Sequence, residues 1–263
     1  MKNHHASEFF FQIIAFLVVT IVVHSVYLTI IRPQAQAIIE KQKEELVEGS
    51  NEITTSVFVI IKDIEQESCL ILMFWAIAIM GFKGNAIFGE RKFFRENLVD
   101  VSDEMRIVPE DSYRYARHIK SVIKNEEDFL LPKALVAGLF RFSTTRDVQD
   151  TSEAIKDTCE TEAEKLDSEL AIIRYIVWAV PSIGFIGTVR GISQALSQAH
   201  QAVQGDIFGV TASLGVAFNS TFVALIISLL IMFLMHQVQL SQERLVLDTM
   251  TYCNQNLIHK LET

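Results

Sequence analysis

The chain of 263 residues predicts an all-α, polytopic membrane protein with four transmembrane helices. Three observations carry that reading. Half of the residues are apolar, and they gather into four long stretches instead of spreading evenly. Between those stretches, charged and apolar residues recur at helical spacing, and no segment alternates convincingly with a period of two. Glycine and proline are scarce, eleven and four, so little interrupts a helix once it has begun.

Each span follows in order. Phe9–Ile31 and Ile207–Met235 contain no Asp, Glu, Lys or Arg. A bilayer core takes roughly 20 helical residues, so both are long enough to cross it. The first is too long for a cleavable signal peptide and has no convincing small-x-small site behind it, so it is expected to remain as a span. Ser68–Phe82 is shorter, and a snorkelling Lys83 would let its helix continue through "GNAIFG". The fourth stretch, from about Leu170 to Leu196, carries the most unusual residues and is third in chain order.

Lys83, Arg91, Lys92 and Arg95 crowd the end of the second span, whereas Ser197–Asp206 has neither lysine nor arginine. The positive-inside rule then places both termini in the cytoplasm, although Arg32, Lys41, Lys43 and Lys62 lie in the first connection. The layout that results is 1–31 for the N-terminus and first span, 32–67 for an extracytoplasmic helical connection, and 68–88 for the second span. A cytoplasmic helical domain takes 89–169, with Pro109 and Pro132 punctuating it. The third span takes 170–196, an extracytoplasmic turn 197–206, the fourth span 207–235 and a cytoplasmic C-terminal helix 236–263. No helix breaker separates Val148 from the third span or the fourth span from the C-terminal segment, so long helices should extend from both into the cytoplasm.

Other functions find little support. The formal net charge of −9 does not suit a nucleic-acid binder, which needs a basic face. Cys69, Cys159 and Cys253 are odd in number and lack disulfide or metal spacing, which reads as reduced and structural. No phosphate-binding loop follows a strand, no ligand cluster has metal spacing and no nucleophile has a positioned base, so no enzyme, metal or cofactor is expected.

The third and fourth spans are small and polar where leucine would serve a lipid-facing helix. Gly184, Gly187, Thr188, Gly191 and Ala195 fall on one helical face, and small residues there let another backbone approach closely. Ala217, Thr221, Ala224 and Ser228 form a matching stripe, with Asn219 and Ser220 beside it. A structural reading competes at each position: a membrane threonine bonds back to the preceding turn, a small stripe is a packing surface, and Asn219 is interhelical glue. Pro181 removes a backbone donor and is expected to kink its helix. His24, in the first span, titrates near neutral pH or is a satisfied polar group.

"AVPSIGFIGTVRGISQAL" (179–196) followed by "GVAFNSTFVALIISLL" (215–230) resembles the MotA/TolQ/ExbB proton-channel family, in its four-span, MotA-like branch. The resemblance implies that Thr188 and Thr221 occupy the places of the two pore threonines. It also implies a homopentameric ring around a dimer of single-span, MotB/ExbD/TolR-like partners, each with a membrane-embedded aspartate that binds the translocated proton or sodium ion. On that reading the chain is a stator subunit of an ion-motive-force-driven motor in the bacterial inner membrane. Its third and fourth spans hold no acid of their own, and its smooth pore face would ease sliding past the partner. A non-conducting four-span scaffold is the alternative. Arg190 departs from the family, which usually carries an apolar or aromatic residue there. It lies roughly 200° around the helix from Thr188 and reads as an interface anchor or a bridge to a neighbouring subunit. Arg174 reads as a cytoplasmic anchor. "ERKFFRE" (90–96) is a rotor-contact candidate or a solvated anchor, and is not assigned.

Overall fold

The computed structural model describes residues 2–47, 56–95, 98–99, 106–123, 129–204 and 207–262, with side chains in the first of these segments described from residue 8 to residue 42. Gly205 and Asp206 of the expected turn, and Glu96 of "ERKFFRE", lie outside them. The described residues form helices α1 (Lys2–Val26), α2 (Arg32–Val47), α3 (Val57–Ile60), α4 (Ile64–Glu90), α5 (Pro109–Val122), α6 (Leu130–Thr145), α7 (Val148–Glu169), α8 (Ala171–Ser197), α9 (Ala199–Val203) and α10 (Phe208–Asn256). Among them the only β-type pairing is an isolated parallel bridge between Ile107 and Leu261. Among the described residues four stretches are long and apolar enough to cross a membrane: Glu8–Gln42, Ile64–Arg95, Val148–Ser197 and Phe208–Lys260. The chain divides into two compact units.

The first unit comprises Ala6–Ile79 and Ile172–Met235. α1 continues into α2 through one π turn, Tyr27–Ile31. Val23, Tyr27, Ile31 and Ala35 are all buried, each four residues after the last. In a regular α-helix a step of four drifts about 40° around the axis, and the wider π turn takes up part of that drift. This row packs against Phe58, Ile61, Leu70 and Ile71. Nearer the start of α1, Trp75 of α4 donates its indole N–H to the Gln12 carbonyl at 2.9 Å and meets Phe16 edge-on at 5.0 Å. α8 and α10 complete the unit. Phe9, Phe10 and Ile21 of α1, Trp178 and Phe185 of α8, and Phe218 and Phe222 of α10 present bare apolar faces, as helices in lipid or against other subunits do.

The second unit comprises Met1–His5, Met80–Ala171 and His236–Thr263. Pro109 opens α5 and Pro132 sits in the first turn of α6, where a missing N–H has no intrahelical partner to lose. α6 ends at Arg146, in the left-handed region at φ 55°. Asp147 then caps α7, its carboxylate accepting from the Gln149 and Asp150 N–H groups at 2.7 and 3.0 Å. Leu131, Leu135, Leu139 and Phe142 of α6 join Ile119 of α5, Ile155 and Cys159 of α7, and Leu245 and Cys253 of α10 in one core. Gly138 lets α6 and α7 close up, since a Cβ there would lie 2.7 Å from Ile155 Cδ1. All three cysteines are free and buried. Lys83 does not snorkel to water. It is 5% exposed and donates to Glu169 at 2.7 Å, because a carboxylate at the end of α7 gives it a nearer counter-charge than solvent.

A charged group is built into the rim of this core, outside the spans 68–88 and 170–196 expected from the sequence. Glu162 is buried; desolvation pushes its carboxyl up, but hydrogen bonds from Lys133 (2.8 Å) and Lys165 (2.6 Å) outweigh that and leave it below the ordinary carboxylate range. Glu90 accepts from the Leu130 N–H at 3.3 Å, at the start of α6. Burial, with Glu162 nearby, pushes its carboxyl up to about 7. The two acids therefore act with opposite sign. Glu162 contributes stability above the ordinary carboxylate value that is lost as the pH falls through its lowered one. Glu90 costs stability that grows as the pH rises from about 4.5 and is complete above about 7. Glu90→Gln keeps an acceptor for Leu130 and removes that cost, on the order of 3 kcal/mol at most. Thermal melts of the full chain should show it more stable than wild type at about pH 8. The advantage should vanish near pH 5. Glu162→Gln should instead be less stable at neutral pH.

Candidate functional site: the small-residue seam between α8 and α10

The buried residues of α8 are Ile173, Ile176, Val180, Gly184, Gly187, Gly191 and Ala195, steps of three and four that trace one face. Ser213, Ala217, Ser220, Ala224, Ile227, Ser228 and Ile231 form the corresponding row on α10. The glycines are where the two rows touch. A Cβ on Gly184 would stand 2.5 Å from Ala224 Cβ, and one on Gly187 would stand 2.5 Å from Ser220 Cβ. On Gly191 it would strike backbone, 2.6 Å from the Ala217 nitrogen and 2.7 Å from the Ser213 oxygen. The glycine face is therefore taken up within the chain. Sequence spacing alone left it free to meet a partner helix. Ser220, read as lying beside the α10 stripe, is 1% exposed and sits in the seam itself.

Thr188 and Thr221 meet across this seam, half-buried, with their hydroxyls hydrogen-bonded to one another. Thr188 also donates to the Ala217 carbonyl at 3.0 Å, with a longer contact of 3.4 Å back to Gly184. Thr221 lies 3.2 Å from the Gly184 carbonyl. Each hydroxyl thus reaches across to the other helix, where the bland expectation was a bond within its own. A hydroxyl has one proton to give and can accept more than one, so the pair keeps acceptor capacity without a fixed charge. Asn219 lies outside the seam and half-buried.

Pro181 sits inside α8 and leaves the Val177 carbonyl without its usual donor four residues on. Ser228 of α10 supplies one, its hydroxyl 3.1 Å from Val177 O. The helix remains continuous through the proline. Cys69 Sγ approaches the Val180 carbonyl at 3.7 Å, so α4 meets α8 on the same turn.

Arg190 has partners within its own chain, an arrangement neither sequence reading contained. Its Nη2 donates to Glu65 Oε2 at 2.7 Å and lies 3.6 Å from Asp63. Glu65 and Glu67 stand in the first turn of α4 and are 6% and 4% exposed. Glu67 in turn holds His24 at 2.6 Å and Arg32 at 2.5 Å. Glu65 also reaches the glycine face, its Cγ 3.2 Å from where a Gly187 Cβ would be. These acids were counted as part of the first connection. The missed signal was their i, i+2 spacing directly before an apolar stretch whose neighbours offer two arginines. Arg174 lies in the first turn of α8, half-exposed. Among the described residues no group of three His, Cys, Asp or Glu is placed to hold a metal ion.

Residues 122–250 match the family model of the MotA/TolQ/ExbB proton channel family. The family recognition made on the two pore-like motifs stands. The match carries it well beyond them, through α6 and α7, which resembled nothing from sequence alone. With a proton-channel family and four membrane-length helices, the chain is a multi-pass membrane protein. No curated protein and no solved structure matches it.

The seam makes two predictions. Gly191→Ala must displace backbone and should cost about 1–3 kcal/mol, enough to lower the melting temperature of the purified chain by several degrees. Gly84→Ala, inside α4 with open space around it, should leave it unchanged or raise it slightly. Ser228→Ala strands the Val177 carbonyl and should cost about 1 kcal/mol. The double variant Ser228→Ala/Pro181→Ala restores the internal donor and should recover most of that loss.

Proposed function

We propose that this chain is the pore-wall and stator subunit of a rotary motor driven by a proton or sodium gradient. In this reading five copies form a ring around two single-span partners whose membrane-embedded aspartates carry the ion. The ring sits in the bacterial inner membrane with both termini of each copy in the cytoplasm. The translocated ion is the only cofactor it needs, and the chain is not an enzyme. The observation that carries the reading is the juxtaposition of Thr188 and Thr221 on facing helices inside the family-matched segment. Two hydroxyls at one level of the membrane can bond a passing carboxylate or ion while holding no charge of their own.

A scaffold without conduction is the second reading, favoured by one specific observation: both hydroxyls are already engaged across the seam and so serve as interhelical glue. The two readings part on substitution. Thr188→Val and Thr221→Val keep volume and remove the hydroxyl. For a channel subunit, each should cut ion flux of the purified complex in vesicles at least tenfold while the complex still assembles. For a scaffold, flux is absent throughout and only assembly responds. Native mass spectrometry of the gently purified complex should find five copies with two of a single-span chain carrying an aspartate in its span.

A further inference from the structure

α5 and α7 carry opposite charges on the faces they turn away from the core of the second unit. We propose that the basic face of α5 in one copy docks on the acidic face of α7 in the next copy. The second unit then holds a contact that links neighbours. This rests on the ring of copies proposed above and adds to it a surface, a register and a direction.

On α5 the buried residues Ser112, Ala116 and Ile119 mark the inner face. Arg114, Arg117, His118 and Ser121, at i, i+3, i+4 and i+7, lie on the opposite face, and all four are exposed. Neither arginine has an ion-pair partner among the described residues. Each stands instead over a tyrosine ring, Arg114 over Tyr115 at 6.0 Å and Arg117 over Tyr113 at 4.9 Å, which leaves its N–H groups to be met from outside. On α7 the buried residues are Thr151, Ile155, Cys159 and Glu162. Glu153, Asp157, Glu160 and Glu164, at i, i+4, i+7 and i+11, occupy the face opposite them and are exposed. Of these acids only Glu160 is ion-paired among the described residues, to Lys156 at 3.5 Å. Like charges one turn apart destabilise a helix by about 0.2–0.5 kcal/mol per pair, so such a row calls for cations from beyond its own helix.

The two faces are placed to meet only between copies. α6 packs against both helices. Its Phe140 meets Tyr113 of α5 edge-on at 5.6 Å, whereas a Cβ on its Gly138 would lie 2.7 Å from Ile155 of α7. Residues two apart stand roughly 200° around a helix, so α5 and α7 flank α6 on opposite sides. Their outer faces form the two edges of a three-helix layer. The edges are also level. Arg146, just before the cap of α7, holds Glu110 in the first turn of α5 at 3.0 Å, so both helices start at one height. Both then run back along α6, α5 past Phe140 and α7 past Gly138 to Lys133. Arg114 and Arg117 lie about 6 and 10 Å along from Glu110, and Glu153 and Asp157 about 8 and 14 Å along from Val148. A rotation axis parallel to the helices keeps every residue at its height. It therefore brings the basic edge of one copy to the acidic edge of the next, a head-to-tail contact that repeats until a ring closes. A foreign acidic partner would answer α5 and leave α7 bare, and a basic one the reverse. A second copy answers both. Exposed ion pairs add little affinity singly, and their part here is to set register and choice of neighbour.

Cysteine cross-linking of the full chain in membranes tests the contact. The native cysteines are buried, so a short bismaleimide should join copies only through introduced thiols. Ser121→Cys/Glu160→Cys leaves both arginines, Glu153 and Asp157 in place and should give a ladder that extends past the dimer. Either single variant should give none. Adding Arg114→Glu/Arg117→Glu should cut the ladder at least fivefold, and adding Glu153→Arg/Asp157→Arg to that chain should restore it. A dimer from either single variant would mean that like faces meet, which overturns the proposal. A ladder indifferent to charge reversal does the same, as does linkage of the Ser121→Cys chain only to a different protein. Native mass spectrometry separates this contact from the ring. No ladder while five copies stay assembled refutes the contact and leaves the ring, whereas a chain found only as single copies refutes both.

Discussion

The close approach of α8 and α10 is the constraint on which the rest of this molecule depends. Gly184, Gly187 and Gly191 present no side chain where Ala224, Ser220 and the Ala217 backbone arrive, and contacts that close leave no room for even a methyl group. In a bilayer the hydrophobic effect gives helices little reason to associate, so dispersion between near-touching backbones and a few hydrogen bonds must do it. The seam brings its polar groups into range of one another as a result. Thr188 and Thr221 meet because the axes are near, and Ser228 reaches Val177 for the same reason.

The polar corner at the start of α4 depends on the same geometry. Arg190 lies three residues past Gly187 and one before Gly191, so the helix that packs on α10 also carries a guanidinium toward Asp63 and Glu65. A cation at that depth needs a counter-charge, and here it has two within its own chain. Glu65 is held by Arg190 and Glu67 by Arg32 and His24, which explains how two carboxylates tolerate near-complete burial. The second unit solves its own charge problem differently, with Glu162 between two lysines and Glu90 left to a single backbone donor.

Much of this was legible in the sequence, and the limits have physical causes. Uncharged runs of membrane length, with few breakers, announced the helices, because bilayer thickness imposes a length that composition reveals. The small faces of the third and fourth spans were visible as spacing, and with the pore-like motifs they sufficed to recognise the family. Spacing gives a face but not its partner. Nothing in "GFIGTVRGI" says whether the glycines meet a helix of the same chain or of another, and Ser220 counted as a flank because a two-residue shift around α10 is invisible without its mate. The buried acids were missed for a related reason. Read linearly, Asp63, Glu65 and Glu67 are a charged connection, and only the fold brings Arg190 of α8 to Asp63 and Glu65, and His24 and Arg32 to Glu67.

Pro181 and Ser228 carry a mechanical implication. A proline ordinarily leaves its helix a hinge, since one rung of the hydrogen-bond ladder is gone. Here the missing rung is supplied by a different helix, so α8 cannot bend at that point without parting from α10, and α10 cannot slip along α8 without leaving the Val177 carbonyl bare. The two helices are therefore coupled into a single stave. A load on one helix is borne by both, and the stave meets its surroundings through Trp178, Phe185, Phe218 and Phe222, which stand uncovered on its outer side.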